Sequence, residues 1–179
     1  MKRILIAYST TDGQTKLICK KIKSVLDDTF KVDLQSIQNI KEDFEVLNKS
    51  FEHVIVGASI RYGKHSDEVY DFIKTNIKFL ESSSNAFFSV NVVARKSEKN
   101  TPETNPYIKK FLILSDWTPE KLAVFAGKVD YPKYRFIDKY MIRLIMWITG
   151  GPTDISKTYE FTNWKKVEEF AQEIKKISN

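Results

Sequence analysis

Seven consecutive residues near the start of the chain, Ser9-Thr10-Thr11-Asp12-Gly13-Gln14-Thr15, are hydroxyl or amide side chains broken by one carboxylate and one glycine. They follow a continuous apolar run, Ile4 to Tyr8, and lead into helical spacing from about Thr15. The first backbone N–H groups of a helix have no internal partners. A hydroxyl-rich loop that presents them is a cradle for a phosphate. The loop has no lysine in a Walker arrangement and no G-x-G-x-x-G, which sets aside the nucleoside triphosphate loop and the dinucleotide fingerprint. Asp12 does not meet a phosphate with its own carboxylate, since like charges repel; it shapes the turn or caps the helix. The plain alternative is an ordinary turn with a threonine N-cap.

Other chemistry is thin. Two histidines and one cysteine are too few for a metal cluster, and no Ser-His-Asp triad is evident. His53 opens a strand and reads as structural. Cys19 falls within the first helix pattern and reads as a packing residue, so no internal disulfide forms and a reducing site of action is expected. Arg61 is either a ligand contact or a solvated loop cation. Tyr62 is either a packing aromatic or a ring stacked on a ligand.

The elements that position these residues alternate between strand and helix. Ile4 to Tyr8 is a buried strand, as parallel strands covered on both faces read. Thr15 to Leu26 has Ile18, Ile22, Val25 and Leu26 on one face and Lys16, Lys20, Lys21 and Lys23 outside. Phe30 to Leu34 alternates like an edge strand. Ile40 to Phe51 is a polar connection with a short helix. His53 to Gly57 is the next buried strand and runs into Ala58-Ser59-Ile60-Arg61-Tyr62-Gly63. Val69, Phe72, Ile73, Ile77 and Leu80 mark a second helix. Ala86 to Val93 is a fourth strand, followed by a basic loop from Arg95 to Pro102. Tyr107 to Leu114 is a third helix, Leu122 to Val129 a fifth strand, and Trp164 to Ile177 the last helix. The pattern predicts an α/β fold: a doubly wound, five-stranded parallel sheet of flavodoxin-like order 2-1-3-4-5. Its ligand belongs at the strand C-termini, between strands 1 and 3, where both polar loops lie.

The 179 residues suit one domain, 1–179, of 42% hydrophobic and 13% aromatic residues. The formal charge of +6 favours contact with something acidic: a nucleic acid, an anionic membrane or an acidic small molecule. No signal peptide is expected, because Lys2-Arg3 leads into only five apolar residues. No stretch reaches the roughly 18 apolar residues of a spanning helix. One part exceeds a minimal domain of this kind: the insertion 130–162, before the last helix. Within it Phe136 to Thr149 has Ile137, Met141, Leu144, Ile145 and Ile148 at helical spacing, widened by Ile142, Met146 and Trp147. It reads either as a helix packed over the domain or as an interfacial helix, with Lys133, Arg135, Lys139 and Arg143 facing anionic headgroups.

The Ser9–Thr15 loop resembles the phosphate loop of flavodoxins, in which neutral hydroxyls and amides hold the phosphate of FMN. Further stretches carry a closer resemblance: Gly57 to Gly63, Ser89 to Lys96, Thr101-Pro102-Glu103-Thr104-Asn105, and Tyr131-Pro132-Lys133-Tyr134-Arg135 running on to Gly150-Gly151-Pro152-Thr153-Asp154. The last two are not general flavodoxin features. Nearly the whole chain resembles the bacterial, flavodoxin-like, quinone-dependent protoporphyrinogen IX oxidases (dehydrogenases) of haem synthesis. Lys64-His65-Ser66-Asp67 departs from the family's histidine-rich stretch, so no catalytic role carries over to His65.

The resemblance implies FMN as cofactor, oxidation of protoporphyrinogen IX, and menaquinone or ubiquinone as acceptor. It implies peripheral contact with the cytoplasmic face of the bacterial inner membrane, no nucleic-acid partner, and leaves a homo-oligomer open. Ser9, Thr10, Thr11, Asp12, Gly13, Gln14 and Thr15 are then the phosphate loop. Ser59, Ile60, Arg61 and Tyr62 flank the flavin ring, and Asn91, Val92, Val93, Ala94 and Arg95 line its other edge. Arg61, Arg95, Lys96 and Lys99 meet the substrate's propionates, and Tyr62, Tyr107 and the insertion cover its macrocycle. Lys133, Arg135, Ile137, Met141, Arg143, Leu144 and Ile148 face the membrane and the quinone. The rival readings are an electron-carrier flavodoxin, an NAD(P)H:quinone reductase, and a basic module that binds nucleic acid or lipid. Carrier flavodoxins are usually acidic and lack the insertion, whereas this chain has a pI near 9.2.

Overall fold

The computed structural model describes residues 1–41 and 44–178, with the side chains of Phe44, Ile177 and Ser178 outside the description. Strands β1 (Arg3–Ser9), β2 (Lys31–Ser36) and β3 (His53–Arg61) are joined by helices α1 (Gln14–Leu26) and α2 (Phe44–Ser50). A two-residue strand β4 (Lys64–His65) folds back on β3. Helices α3 (Asp67–Thr75) and α4 (Ile77–Ser82) lead to β5 (Ser84–Val90), and α5 (Pro106–Leu114) leads to β6 (Lys121–Phe125). The sheet order is β2-β1-β3-β5-β6, all parallel, with β4 antiparallel on β3. Without the β4 flap this is the expected order 2-1-3-4-5.

Strand alternation explains the two cores. On β1, Leu5 and Ala7 face a layer that includes Leu47, Val69, Phe72, Phe79, Leu80, Ile108 and Phe111. Ile4, Ile6 and Tyr8 face the opposite layer, where α1 supplies Ile18, Cys19 and Ile22. The last helix, α7 (Trp164–Ser178), adds Val167, Phe170, Ala171 and Ile174 to that layer. Successive strand side chains point to opposite faces, so a strand covered twice must be apolar throughout. Cys19 is fully buried, and burial holds its thiol far above its ordinary pKa; it is a packing residue.

The differences from expectation have local causes. The expected second helix breaks at Asn76, whose side-chain Nδ2 donates to the Phe72 carbonyl at 2.9 Å. The expected fourth strand stops at Val90, because Asn91 Oδ1 accepts from the Ala94 N–H at 3.1 Å and turns the chain. The expected fifth strand divides. β6 ends at Phe125, and after Gly127 the chain leaves the sheet as β7 (Lys128–Asp130), which pairs antiparallel with β8 (Thr158–Glu160). This ribbon frames the insertion. Between its strands lies α6 (Phe136–Ile148), closed by Gly150 at φ 69°, with the Gly151 N–H donating to the Met146 carbonyl at 2.6 Å. Val129, Tyr131 and Met146 form a small core for the insertion.

Candidate active site

The β1–α1 loop meets the helix as the hydroxyl-rich sequence requires. Gly13, at φ 85°, is the N-cap of α1, and no side chain caps the helix. The cap is therefore a left-handed glycine and not a threonine, a conformation that costs glycine little. Thr10 Oγ1 accepts from the Gly13 N–H at 3.0 Å and fixes the turn. No side chain takes the first helical N–H groups, and Gln14 and Thr15, which carry two of them, line the cavity beyond. Thr15 is fully buried, and its Oγ1 has no partner; Gln14 Oε1 has none either. Gln14 Nε2 is held by Glu160 Oε1 at 3.1 Å and Thr162 Oγ1 at 2.9 Å, so the insertion ribbon positions it. Buried polar atoms are rarely left unpaired. An unpartnered hydroxyl and free helix N–H groups at one spot suit an anion, and an unpartnered amide oxygen suits a ligand hydroxyl.

A cavity of about 570 Å³ opens from this cradle along the C-terminal ends of β1, β3, β5 and β6. Ser59, Ile60, Arg61 and Tyr62 wall one side, Asn91, Val92, Val93 and Arg95 the other, and Tyr107 adds an aromatic edge. Met141, Ile142, Ile145, Met146 and Thr149 of α6 roof it. The volume and the mixture of apolar wall and few polar groups fit a small-molecule site.

Tyr62 and Gly63 form the tight turn between β3 and β4, with φ of 51° and 76°. Two-residue hairpin turns need positive φ at both central positions. A tyrosine there is strained by roughly 1–2 kcal/mol. The turn sets Tyr62, 61% exposed, at its tip, where the hydroxyl donates to Asp138 Oδ1 of α6. Arg61 beside it bonds Asp12 Oδ2 at 2.9 Å and Asp138 Oδ2 at 3.0 Å. Its guanidinium lies 5.3 Å from the Tyr62 ring centroid and 5.2 Å from that of Tyr134. Burial raises the Asp12 carboxyl above its ordinary pKa, against the pull of Arg61 and of a hydrogen bond from Tyr134. The Tyr62 hydrogen bond lowers that of Asp138. At the other end of α6, Arg95 Nη2 donates to the Thr149 carbonyl at 2.9 Å and to Thr149 Oγ1 at 2.8 Å. A cation at a helix C-terminus is favourable. The roof is thus fastened at both ends.

Behind the wall, His65 is buried among Tyr70, Phe87 and Phe111, and its Nε2 lies 3.0 Å from Ser89 Oγ. Asn91 Nδ2 donates to the same hydroxyl at 3.2 Å, and Asn91 and Asn105 exchange amide bonds. Burial, then Lys110, pulls His65 down to about 4, so the ring is neutral at ordinary pH. It braces the loop from Asn91 to Asn105.

Most residues singled out from the sequence gather here; a few do not. Ser9 Oγ turns away to Ser66 Oγ and Glu68 Oε1, because it shares the strand face of Leu5 and Ala7. Ala94 is buried under the loop, and Lys96 and Lys99 lie off the cavity wall. Asp12 caps nothing and pairs with Arg61 instead. On α6, Ile137, Leu144 and Ile148 are exposed together with Phe136 and Trp147, while Met141 reaches the cavity. Lys133 pairs with Asp130 at 3.2 Å, and Arg135 and Arg143 are exposed. Tyr134, Asp138 and Thr149 are site residues that pattern reading missed. An acidic residue in the first turn of a basic, apolar helix was the available signal for Asp138.

Fold and cavity together define a flavodoxin-class protein. Residues 5–156 match the flavodoxin domain family. The oxidised flavodoxin 1 of Bacillus cereus shares the fold, with a TM-score of 0.56 at 14% identity and 98% of each chain covered. Protoporphyrinogen IX dehydrogenase (quinone) of Escherichia coli (strain K12) is 42% identical over 178 residues, 99% of this chain and 97% of that protein. The protein of the same name from Leishmania major is 43% identical over 172 residues, 96% of this chain and 74% of that protein. The chain belongs to the flavodoxin domain family and, within it, to the protoporphyrinogen IX dehydrogenases (quinone).

Proposed function

We propose that this chain oxidises protoporphyrinogen IX to protoporphyrin IX with FMN as its cofactor and a quinone as electron acceptor, a step of haem synthesis. The observation that carries the reading is the 42% identity over 99% of the chain, insertion 130–162 included. The cavity supports it. Thr15 Oγ1 and the free N–H groups of α1 suit the phosphate, Gln14 Oε1 suits a hydroxyl of the ribityl chain, and the walls from Ser59 to Tyr62 and Asn91 to Arg95 suit a flat ring.

FMN, when bound, supplies the two-electron redox chemistry. The chain holds and orients. Each round takes two electrons and two hydrogens from the porphyrinogen, one hydrogen as hydride and one as proton, and turns one quinone into quinol. His65 is walled off by three aromatic rings and engaged by Ser89, so it does not take the proton. Tyr107 and the C-terminal apolar side chains Ile145 and Met146 of α6 give the cavity an apolar wall for the macrocycle.

The acceptor we propose is menaquinone or ubiquinone, reached from the cytoplasmic face of a bacterial inner membrane. Ile137 is 74% and Trp147 71% exposed on the outer face of α6, with Arg135, Lys139 and Arg143 beside them. Apolar surface rimmed by basic residues suits an anionic bilayer interface. No helix among the described residues is long and apolar enough to cross a membrane. Residues 1–179 act as one domain in this reading. Anaerobic oxidation of protoporphyrinogen IX by the FMN-loaded protein, with and without a menaquinone analogue, tests it. Quinone-dependent porphyrin fluorescence is expected. FMN bound and reducible without turnover would leave a carrier or a quinone reductase.

A further inference from the structure

Arg61 has more carboxylate around it than its charge balances. Asp12 and Asp138 both pair with it, and the two are held differently. Asp12 lies in the short loop between β1, in the sheet, and α1, packed on it, and Tyr134 bonds it as well. Asp138 lies in the first turn of α6, where no side chain caps the helix and the neighbouring Phe136 and Ile137 are exposed. The buried residue of α6, Met146, lies eight positions further on, next to the Arg95–Thr149 fastening. Asp138 is therefore the replaceable partner. Arg61 and Asp12 line the cavity and Asp138 does not, so the choice between the two carboxylates rests on how firmly each is anchored. A ligand carboxylate reaches the guanidinium from the cavity side.

We propose that Asp138 is an internal competitor for the carboxylates of the substrate: it holds Arg61 and the Tyr62 hydroxyl until a propionate of the tetrapyrrole takes its place, and its displacement releases the N-terminal half of α6 from the cavity. The inference rests on the reading of the substrate as a carboxylated tetrapyrrole. Exchange of one carboxylate for another leaves the half-buried guanidinium paired, which avoids the cost of an uncompensated charge. Asp138, 20% exposed at its side chain, returns to water. The C-terminal end of α6 stays clamped by Arg95, so the helix opens from one end. A diacid opens the roof as it binds; an ester cannot.

The test titrates the FMN-loaded protein with protoporphyrin IX and with its dimethyl ester, followed by porphyrin absorbance. Wild type, Asp138→Asn and Arg61→Gln are compared, with bound flavin as the check on folding; Asp138→Ser replaces the asparagine variant if that one loses its flavin. Removing the competitor should tighten the diacid about five- to tenfold and leave the ester unchanged. Arg61→Gln should bring the diacid down to the affinity of the ester. An equal gain for both ligands, or none for the diacid, would overturn the competitor role and leave Asp138 as a fastening of α6. Binding of neither porphyrin to the wild type would overturn the inference, and turnover of protoporphyrinogen IX then shows whether the substrate reading falls with it.

Discussion

Protonation of His65 should destabilise this protein from within, at a pH where a surface histidine would do nothing. Its ring is 1% exposed, with aromatic neighbours at centroid distances of 5.5, 5.8 and 6.4 Å, and Nε2 sits 3.0 Å from Ser89 Oγ. The folded chain holds it at about 4, against an ordinary 6.5. A histidine lowered on folding stabilises the fold fully above its unfolded value, and the contribution is lost as pH falls toward the folded value. The window is therefore pH 6.5 down to about 4. At about 1.36 kcal/mol per unit the full effect is on the order of 3 kcal/mol, of which about 2 kcal/mol falls between pH 7.5 and 5. Denaturant midpoints at these two pH values, for wild type and His65→Gln at equal saturating FMN, isolate the term, because carboxylates and cofactor affect both proteins alike. The wild type should lose about 2 kcal/mol more than the variant. Parallel losses would refute the reasoning, and so would a resonance assigned to His65 by its loss in the His65→Gln variant that titrates near 6.5 in the folded protein.

Thr15→Val keeps the shape of the phosphate cradle and removes its unpartnered hydroxyl; FMN affinity, read by flavin fluorescence quenching, should fall about tenfold. At Gly57 an added Cβ would overlap the Phe88 ring, which is fully buried, so Gly57→Ala should lower the unfolding free energy by about 1–3 kcal/mol with FMN stoichiometry retained. On the outer face of α6, the paired change Ile137→Asp with Trp147→Asp should abolish sedimentation with anionic vesicles and leave FMN binding intact; unchanged sedimentation would remove this helix from the membrane contact.

The frame was legible because burial writes itself into sequence. Ile4 to Tyr8 and His53 to Gly57 are apolar on both strand faces, and helix spacing in Ile18, Ile22 and Leu26 matches the side that covers them. Helical connections force those strands to be parallel, and parallel order brings the hydroxyl loop and the Ser59–Tyr62 loop to one end. The polar loop at the start of α1 was legible in residue types alone, apart from Ser9, where strand alternation turned the side chain outward. Local competition for backbone bonds was harder to read. Asn76 and Asn91 end elements that hydrophobic spacing alone would have continued.

The sequence by itself determined the α/β order, the loop that suits a phosphate and an insertion that a minimal domain does not need, since these depend on local pattern and chain connectivity. Only the tertiary structure decided that Arg61 pairs with a residue 77 positions away, that Arg95 closes the end of α6, and that one face of this helix roofs the cavity while the other meets solvent. Helix spacing marks α6 as apolar nearly all round, so it cannot tell the roof from the outer face. That choice is made by where the β7–β8 ribbon leaves the sheet and by which carboxylates and carbonyls then come within reach of the two arginines.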